Sequence, residues 1–138
     1  MSVANIKVGC EAIIINNNNL LLGKRKNCYG EGMWGLPGGH LEYGETIQEC
    51  IYRELQEEVG INALDSQLIS IVDNIDERGH YLHMTFILKK YTGSIELMEP
   101  QYCYEWKFFD LNNLPKELFK PHIKIIHNYL HQNLYYKE

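Results

Sequence analysis

The chain has few cysteines, and their spacing excludes two kinds of site. Cys10, Cys28, Cys50 and Cys103 are far apart, and no two of them form a C-x-x-C pair. Cysteine-ligated metal clusters and dense disulfide frameworks both need closer groupings. We therefore expect free, reduced thiols, as in most cytosolic proteins.

Long apolar runs are also missing. No segment approaches the roughly 20 consecutive apolar residues that a membrane-spanning helix needs. The amino-terminal stretch MSVANIKVGC lacks the basic-then-apolar order of a signal peptide. We expect a cytoplasmic protein without a membrane partner.

Basic residues are outnumbered by acidic ones. There are 13 Lys and Arg against 18 Asp and Glu, which gives a formal net charge of −5 at pH 7. This balance argues against a nucleic-acid polymer as the main partner. It permits a small polyphosphate, because bound cations can supply positive charge. With 138 residues and 45% hydrophobic side chains, the chain suits one domain, 1–138, with its own core.

The order of the apolar patterns predicts an α+β fold. Alternating or β-branched segments predict five strands, at 6–15, 20–25, 67–72, 81–88 and 105–109. The four asparagines at 16–19 predict a hairpin turn. From residue 118 onward the pattern predicts a helix whose buried stripe contains Ile123, Ile126, Leu130 and Leu134. Together with a helix after residue 46, this order favours a mixed sheet between helices.

That first helix carries carboxylates beside its apolar stripe. Thr46 and Glu49 form a Thr-x-x-Glu capping box at its start, and Gly60 is a natural end. At about 100° per residue, the stripe consists of Ile47, Ile51, Leu55 and Val59. Glu54 and Glu58 lie in or beside the same arc, where two unpaired carboxylates are costly to bury. A divalent cation is the simplest compensation, so the helix is predicted to bind metal.

The segment 39–61 matches a known signature at every defining position. It runs GHLEYGETIQECIYRELQEEVGI and fits the Nudix box, G-x5-E-x7-R-E-U-x-E-E-x-G-U, in which U is a bulky aliphatic residue. The chain therefore resembles the Nudix hydrolase superfamily. The resemblance implies an α/β/α sandwich with a mixed β-sheet between helices. It also implies hydrolysis of a nucleoside diphosphate that is linked to a further group.

The resemblance also implies a metal site and catalytic roles. In the family, the glutamates of the box bind divalent cations and help to deprotonate the attacking water. The implied ligands of Mg²⁺, with Mn²⁺ as the alternative ion, are the Gly38 carbonyl, Glu54, Glu57, Glu58 and Glu99. Glu58 or Glu54 is the implied proton acceptor. Arg53 and Glu45 resemble the family's orienting pair, a salt bridge that holds a glutamate in place.

Features outside the box favour nucleoside triphosphates as substrates. The run GKRKNCYGEGMWGLPGGHLEYGE resembles MutT-like members, in which basic residues such as Lys24 and Arg25 face phosphate. Glu99 occupies the place of a further metal-binding glutamate in those members. A flat slot for the base is predicted from Leu36, His40, Thr85 and Trp106. The predicted products of a triphosphate, including oxidised deoxynucleotides, are nucleoside monophosphate and pyrophosphate.

Other functions remain open. The same enzyme class with dinucleoside polyphosphates, nucleotide sugars or capped RNA as substrate is one alternative. A non-catalytic nucleotide-sensing module is another, although the complete set of box carboxylates speaks against it. Homodimers are also compatible with the resemblance.

One pair of histidines suggests a second metal site. His80 and His83 form an H-x-x-H pair on a predicted strand. Residues three apart on a strand point to opposite faces. We therefore expect no joint metal site from these two side chains.

Overall fold

The fold consists of two β-sheets packed between two helices. The computed structural model describes residues 4–136. Within that range, no helix combines the length and apolar character needed to cross a bilayer. In chain order the elements are β1 (Ile6–Ile13), β2 (Ile15–Asn16), β3 (Asn19–Arg25), β4 (Trp34–Gly35), β5 (Gly38–His40), α1 (Ile47–Val59), β6 (Asn62–Asp76), β7 (Gly79–Thr92), β8 (Cys103–Asp110) and α2 (Lys120–His131).

The larger sheet is mixed and the smaller one is antiparallel. The larger sheet has the strand order β5-β1-β7-β6, in which β1 and β7 run parallel and the other pairs run antiparallel. In the smaller sheet β3 pairs with β2, β4 and β8. The predicted α+β fold, with a mixed sheet between helices, is therefore confirmed.

Alternation along β1 and β3 divides the core into two halves. In β1, Ala12 packs in the half next to α1 and Ile13 in the half next to α2. In β3, Leu21 packs towards α1, whereas Leu20 and Leu22 pack towards α2. Because successive side chains of a strand point to opposite faces, both helices can bury their apolar sides on the same sheets.

Helix α1 begins and ends where the sequence predicts. The Glu49 N–H donates to Thr46 Oγ1, and the Thr46 N–H donates to Glu49 Oε1, both at 3.1 Å. These two bonds satisfy free donors of the first turn. Gly60 ends the helix in the left-handed conformation, with φ 75°. The buried stripe of α1 contains Cys50, Ile51, Leu55 and Val59.

Four of the five predicted strands are longer than their predicted segments, and the first is shorter. The segments 67–72 and 81–88 lie within β6 and β7, which form one long hairpin with a turn at 77–78. The predicted first strand is interrupted at Ile14, after which β2 continues. The asparagine turn is confirmed, since Asn17 and Asn18 have φ values of 49° and 63°. Asparagine tolerates this left-handed conformation better than most residues.

The predicted buried stripe of α2 is wrong at three of its four positions. Ile123 and Leu130 are 46% and 49% exposed, Leu134 lies beyond the end of the helix and is 55% exposed, and only Ile126 is buried. The buried residues of the helix are instead Pro121, His122, Ile125, Ile126 and Asn128. The helix is therefore rotated relative to its apolar pattern.

Polar side chains on the inward face of α2 explain that rotation. The Leu36 N–H donates to His122 Nδ1 at 2.9 Å. Asn128 Nδ2 donates to Ser70 Oγ, also at 2.9 Å. Because these buried groups have hydrogen-bond partners, the helix can turn a partly polar face towards the sheet.

Candidate active site

A cleft of about 690 Å³ opens beside α1 and is lined by residues of both sheets and both helices. Strands β1 and β7 contribute Glu11 and His83, and β8 contributes Trp106. Helix α1 contributes Glu58, and α2 contributes His122. The volume is in the range of sites for small molecules and cofactors.

Glutamates of α1 meet the glycines of β5 at one wall of this cleft. The Gly38 N–H donates to Glu58 Oε1 at 2.8 Å. A Cβ atom at Gly39 would overlap the Glu54 carboxyl group, so glycine at this position lets that carboxyl lie directly against β5. Glu99, in the segment before β8, lines the cleft together with Glu58 and Gly38. The structure thus brings together four of the five predicted metal ligands.

Arg53 holds the glutamates of α1 in fixed positions. Its Nε and Nη2 donate to the two carboxylate oxygens of Glu45 at 3.0 and 2.8 Å. Its Nη1 donates to Glu54 Oε1 at 2.8 Å and to the exposed Glu57 at 3.2 Å. Nη2 also donates to the His40 carbonyl at 3.1 Å. The ion pair suggested by the sequence is therefore present, and it lowers the pKa of Glu45 to about 2.

The electrostatics of the glutamates indicate where a cation would bind. Burial raises the pKa of Glu58 well above its usual value, and the charges of Glu54 and Glu99 raise it further. Burial also raises the pKa of Glu54. Carboxylates crowded in this way stay ionised more readily with a cation between them. Their oxygens, with the Gly38 carbonyl, suit a hard ion such as Mg²⁺, so these residues fit the predicted metal.

Four of the six predicted substrate-binding residues line the cleft, namely Arg25, Leu36, His40 and Trp106. The Arg25 guanidinium lies 3.9 Å from the centroid of the Phe119 ring, and its Nε donates to the Tyr29 carbonyl at 2.9 Å. Burial lowers the pKa of Arg25. Trp106 Nε1 donates to the Glu58 carbonyl at 3.3 Å, which joins β8 to α1.

The structure places Lys24 and Thr85 outside the lining of this cleft. Lys24 and Arg25 are successive residues of β3, so their side chains point to opposite faces. The Lys24 Nζ lies 5.6 Å from the centroid of the Tyr104 ring instead. Thr85 is fully buried in β7, next to Glu11 of β1. The structure therefore does not bring these two residues together with the other four predicted substrate contacts.

Three buried polar residues of the cleft were not predicted from the sequence. Glu11, His83 and His122 are 4%, 6% and 4% exposed and line the cleft together. We call them the buried triad. One signal was available, because Glu11 stands in the otherwise apolar strand segment CEAIII. A charged side chain is rarely buried without a partner.

The two histidines of the H-x-x-H pair have separate acidic partners. His83 Nδ1 lies 2.9 Å from Glu11 Oε2. His80 Nε2 lies 2.9 Å from Asp73 Oδ1. The two side chains therefore contact different carboxylates, Asp73 and Glu11.

A second guanidinium group lies near Arg25. The Arg78 guanidinium is 4.1 Å from the centroid of the Tyr29 ring and 5.6 Å from that of Phe119. Arg78 comes from the turn between β6 and β7 and lines the cleft. No sequence pattern indicated this position, because the length of that hairpin was not predicted.

Comparison with known proteins identifies the family. Residues 7–129 match the model of the NUDIX domain. The chain belongs to the Nudix hydrolase family. Over 125 residues it is 42% identical to an ADP-ribose pyrophosphatase of Methanocaldococcus jannaschii, with 89% of this chain and 72% of that protein covered. Over 141 residues it is 30% identical to an 8-oxo-dGTP diphosphatase of Buchnera aphidicola, with 99% and 100% covered.

The solved structures agree with this assignment. The crystal structure of a MutT NUDIX hydrolase from Burkholderia pseudomallei superposes with a TM-score of 0.82 at 32% identity. The match covers 86% of this chain and 95% of that one. This Nudix hydrolase therefore has nucleotide-type substrates. The names of its relatives specify different ones, ADP-ribose in one case and 8-oxo-dGTP in another.

Proposed function

We propose that this Nudix hydrolase is a nucleoside triphosphate diphosphatase that depends on Mg²⁺, with Mn²⁺ as a substitute. Water attacks a phosphorus atom of the bridge between the α- and β-phosphates, and the bond from that atom to the bridging oxygen breaks. The products are nucleoside monophosphate and pyrophosphate. Oxidised deoxynucleoside triphosphates belong to the proposed substrates.

The combination of charges in the cleft carries this proposal. The crowded carboxylates of Glu54, Glu58 and Glu99 lie in the same site as the guanidinium groups of Arg25 and Arg78. A triphosphate has more negative charge to neutralise than the diphosphate of ADP-ribose. Phosphoryl transfer depends mainly on positioning and on neutralising that charge. Two guanidinium groups beside a cation site therefore favour the triphosphate.

The side chains have different proposed roles. Bound divalent cations would neutralise phosphate oxygens and lower the pKa of a coordinated water. Glu58 or Glu54 takes the proton from the attacking water. Arg53 is a positioning residue. Its Nη1 donates a hydrogen bond to Glu54, and its Nε and Nη2 donate to Glu45, which fixes the guanidinium group in place. Arg25 binds phosphate through the forked geometry of its guanidinium group.

ADP-ribose is the second candidate substrate. It is favoured by one specific observation, the 42% identity to the ADP-ribose pyrophosphatase of Methanocaldococcus jannaschii. Dinucleoside polyphosphates, nucleotide sugars, capped RNA and a non-catalytic sensing role are further outcomes of the same test. A cytoplasmic location and a homodimer stay predictions.

A substrate panel tests the proposal. The purified protein is incubated with ordinary and oxidised nucleoside triphosphates, ADP-ribose and the other candidates, with Mg²⁺ or with EDTA. We expect the highest kcat/KM for a triphosphate and no turnover in EDTA. A higher value for ADP-ribose would favour the second candidate. Binding of nucleotides without any turnover would favour the sensing module.

Two matched variants control this panel. Glu58→Gln removes a proposed metal ligand and proton acceptor and should lower kcat by about a thousandfold. Glu96→Gln makes the same chemical change at an exposed position outside the cleft lining and should leave kcat unchanged. Equal activity of the two variants would contradict the assigned role of Glu58.

A further inference from the structure

We propose that the buried triad of Glu11, His83 and His122 recognises the hydrogen-bonding edge of the nucleobase and selects guanine. The inference rests on the proposed function, because it requires a nucleotide in this cleft. It assigns base recognition to residues other than the predicted slot of Leu36, His40, Thr85 and Trp106.

The triad has polar atoms that the fold leaves unpaired. Glu11 Oε1 and His83 Nε2 are buried, and neither has a hydrogen-bond partner within the described part of the chain. All three side chains are more than nine-tenths buried and line the cleft. Buried polar groups in folded proteins are nearly always hydrogen-bonded, and an unpaired one is costly. A ligand in the cleft can supply the partners.

The hydrogen bonds within the fold define what the triad offers. A carboxylate oxygen only accepts, so His83 Nδ1 carries the hydrogen in its 2.9 Å bond to Glu11. The Leu36 N–H donates to His122 Nδ1, so that nitrogen has the lone pair and the hydrogen of the neutral ring is on Nε2. Burial lowers the pKa of His122 well below its usual value, which keeps the ring neutral. The triad thus presents a carboxylate acceptor at Glu11, an N–H donor at His122 Nε2 and, on the neutral His83 ring, a second acceptor at Nε2.

The same hydrogen bonds argue against a metal ion. The triad offers three ligand atoms within 4.8 Å of one another, and two histidines with a glutamate can bind zinc. Ligation by His122 through Nε2 would move its hydrogen to Nδ1. The buried Leu36 N–H would then face another N–H and lose its acceptor. An organic group with its own donors and acceptors is the better match.

Guanine matches these groups better than the other bases. Its edge has two adjacent N–H donors, from the ring and the 2-amino group, beside a carbonyl oxygen. A carboxylate can accept both donors, as it accepts the two donors of an arginine. Adenine and cytosine instead place an unprotonated ring nitrogen beside their amino group, and that nitrogen would face the Glu11 carboxylate. Uracil and thymine offer one N–H between two carbonyls.

Aromatic rings flank the triad and suit a flat base. Tyr81 stacks on His83 with ring centroids 6.1 Å apart. Phe119 meets His122 edge to face at 4.9 Å. Both aromatic residues line the cleft, and stacking on such rings stabilises bound bases of any kind. The rings would therefore increase the affinity for any base, and hydrogen bonds to the triad would determine which base binds best.

A comparison of GTP with ITP tests the proposal, because ITP lacks only the 2-amino group. For the wild-type protein we expect kcat/KM to be about tenfold higher for GTP. In Glu11→Gln, which replaces one acceptor by an NH2 donor, this preference should fall to about twofold or less. Glu96→Gln is the matched control and should keep the wild-type preference.

A binding measurement keeps the test independent of turnover and of how well the variant folds. Calorimetry on the wild-type protein with GMP and IMP should show the same order of affinity. Equal affinities, or a Glu11→Gln preference unchanged from wild type, would overturn the inference. Stoichiometric Zn²⁺ uptake that Glu11→Gln abolishes would overturn it in favour of a metal site. Hydrolysis of ADP-ribose without hydrolysis of any triphosphate would overturn the proposed function instead, and GMP and IMP binding would still decide the role of the triad.

Discussion

Replacing Arg53 by lysine should reduce both turnover and stability, because the guanidinium group positions glutamates of the site as well as tying the helix to its surroundings. The guanidinium group makes five hydrogen bonds to oxygen atoms, two to Glu45 and one each to Glu54, Glu57 and the His40 carbonyl. Lysine keeps the positive charge but has a single nitrogen at its end. It therefore cannot hold Glu45 and Glu54 at the same time in the geometry of the guanidinium fork.

The size of both effects follows from these contacts. Hydrogen bonds to charged groups each contribute about 1.5–3 kcal/mol to stability. The Arg53 side chain is 25% exposed, so solvent weakens the bonds, and lysine retains part of them. We expect a decrease in the free energy of unfolding of about 1–2 kcal/mol. A glutamate at the metal site that loses its supporting partner should lower kcat by about 10- to 100-fold.

Thr46→Ala is the matched control for this prediction. It removes the N-cap of the same helix and should lower stability by about 1 kcal/mol while leaving kcat unchanged. Steady-state kinetics measures kcat, and urea unfolding measures stability. Equal kcat values for Arg53→Lys and wild type, with lower stability, would refute the positioning role and leave Arg53 as a structural residue only.

Three further changes test other parts of the structure. Gly39→Ala should displace the Glu54 carboxyl, which a Cβ atom would overlap, and lower kcat by about tenfold or more in the same assay. Asn128→Ala removes the buried bond to Ser70 and should lower the free energy of unfolding in urea by about 1–3 kcal/mol without changing kcat. Glu45 has its pKa lowered from 4.5 to about 2 by its guanidinium partner, so its stabilising effect is present above pH 4.5 and lost as the pH falls towards 2. Urea unfolding of Glu45→Gln across that range should therefore show a weaker loss of stability in acid than wild type.

The parts of the fold that depend on neighbouring residues were predictable from the sequence. The bonds that begin α1 join Thr46 and Glu49, and the turn that ends it is set by Gly60. Residues of the box that act together, such as Arg53 and Glu54, also lie within this one helix. Spacing along the chain therefore fixes their relative positions, whatever the rest of the fold does.

The inward face of α2 depends instead on distant partners. The Leu36 N–H that bonds to His122 is 86 positions away in the chain, and Ser70 is 58 positions from Asn128. Periodicity counts these two polar side chains as outward-facing, since it contains no information about such partners. The predicted buried stripe therefore contained Ile123 and two leucines, which are exposed. It did not contain the polar residues that face the sheet.

The Glu11–His83 pair could have been predicted only if the register between β1 and β7 had been known. In the parallel pairing of β1 with β7, His83 stands opposite Gly9, and Glu11 is two residues further along the same face. A Cβ atom at Gly9 would lie 2.9 Å from Glu11 Oε2 and 3.1 Å from His83 Nδ1. The two side chains therefore meet across a strand position where glycine leaves room for them. An acidic residue in an otherwise apolar strand indicates a buried partner, but only the register between β1 and β7 identifies that partner as His83.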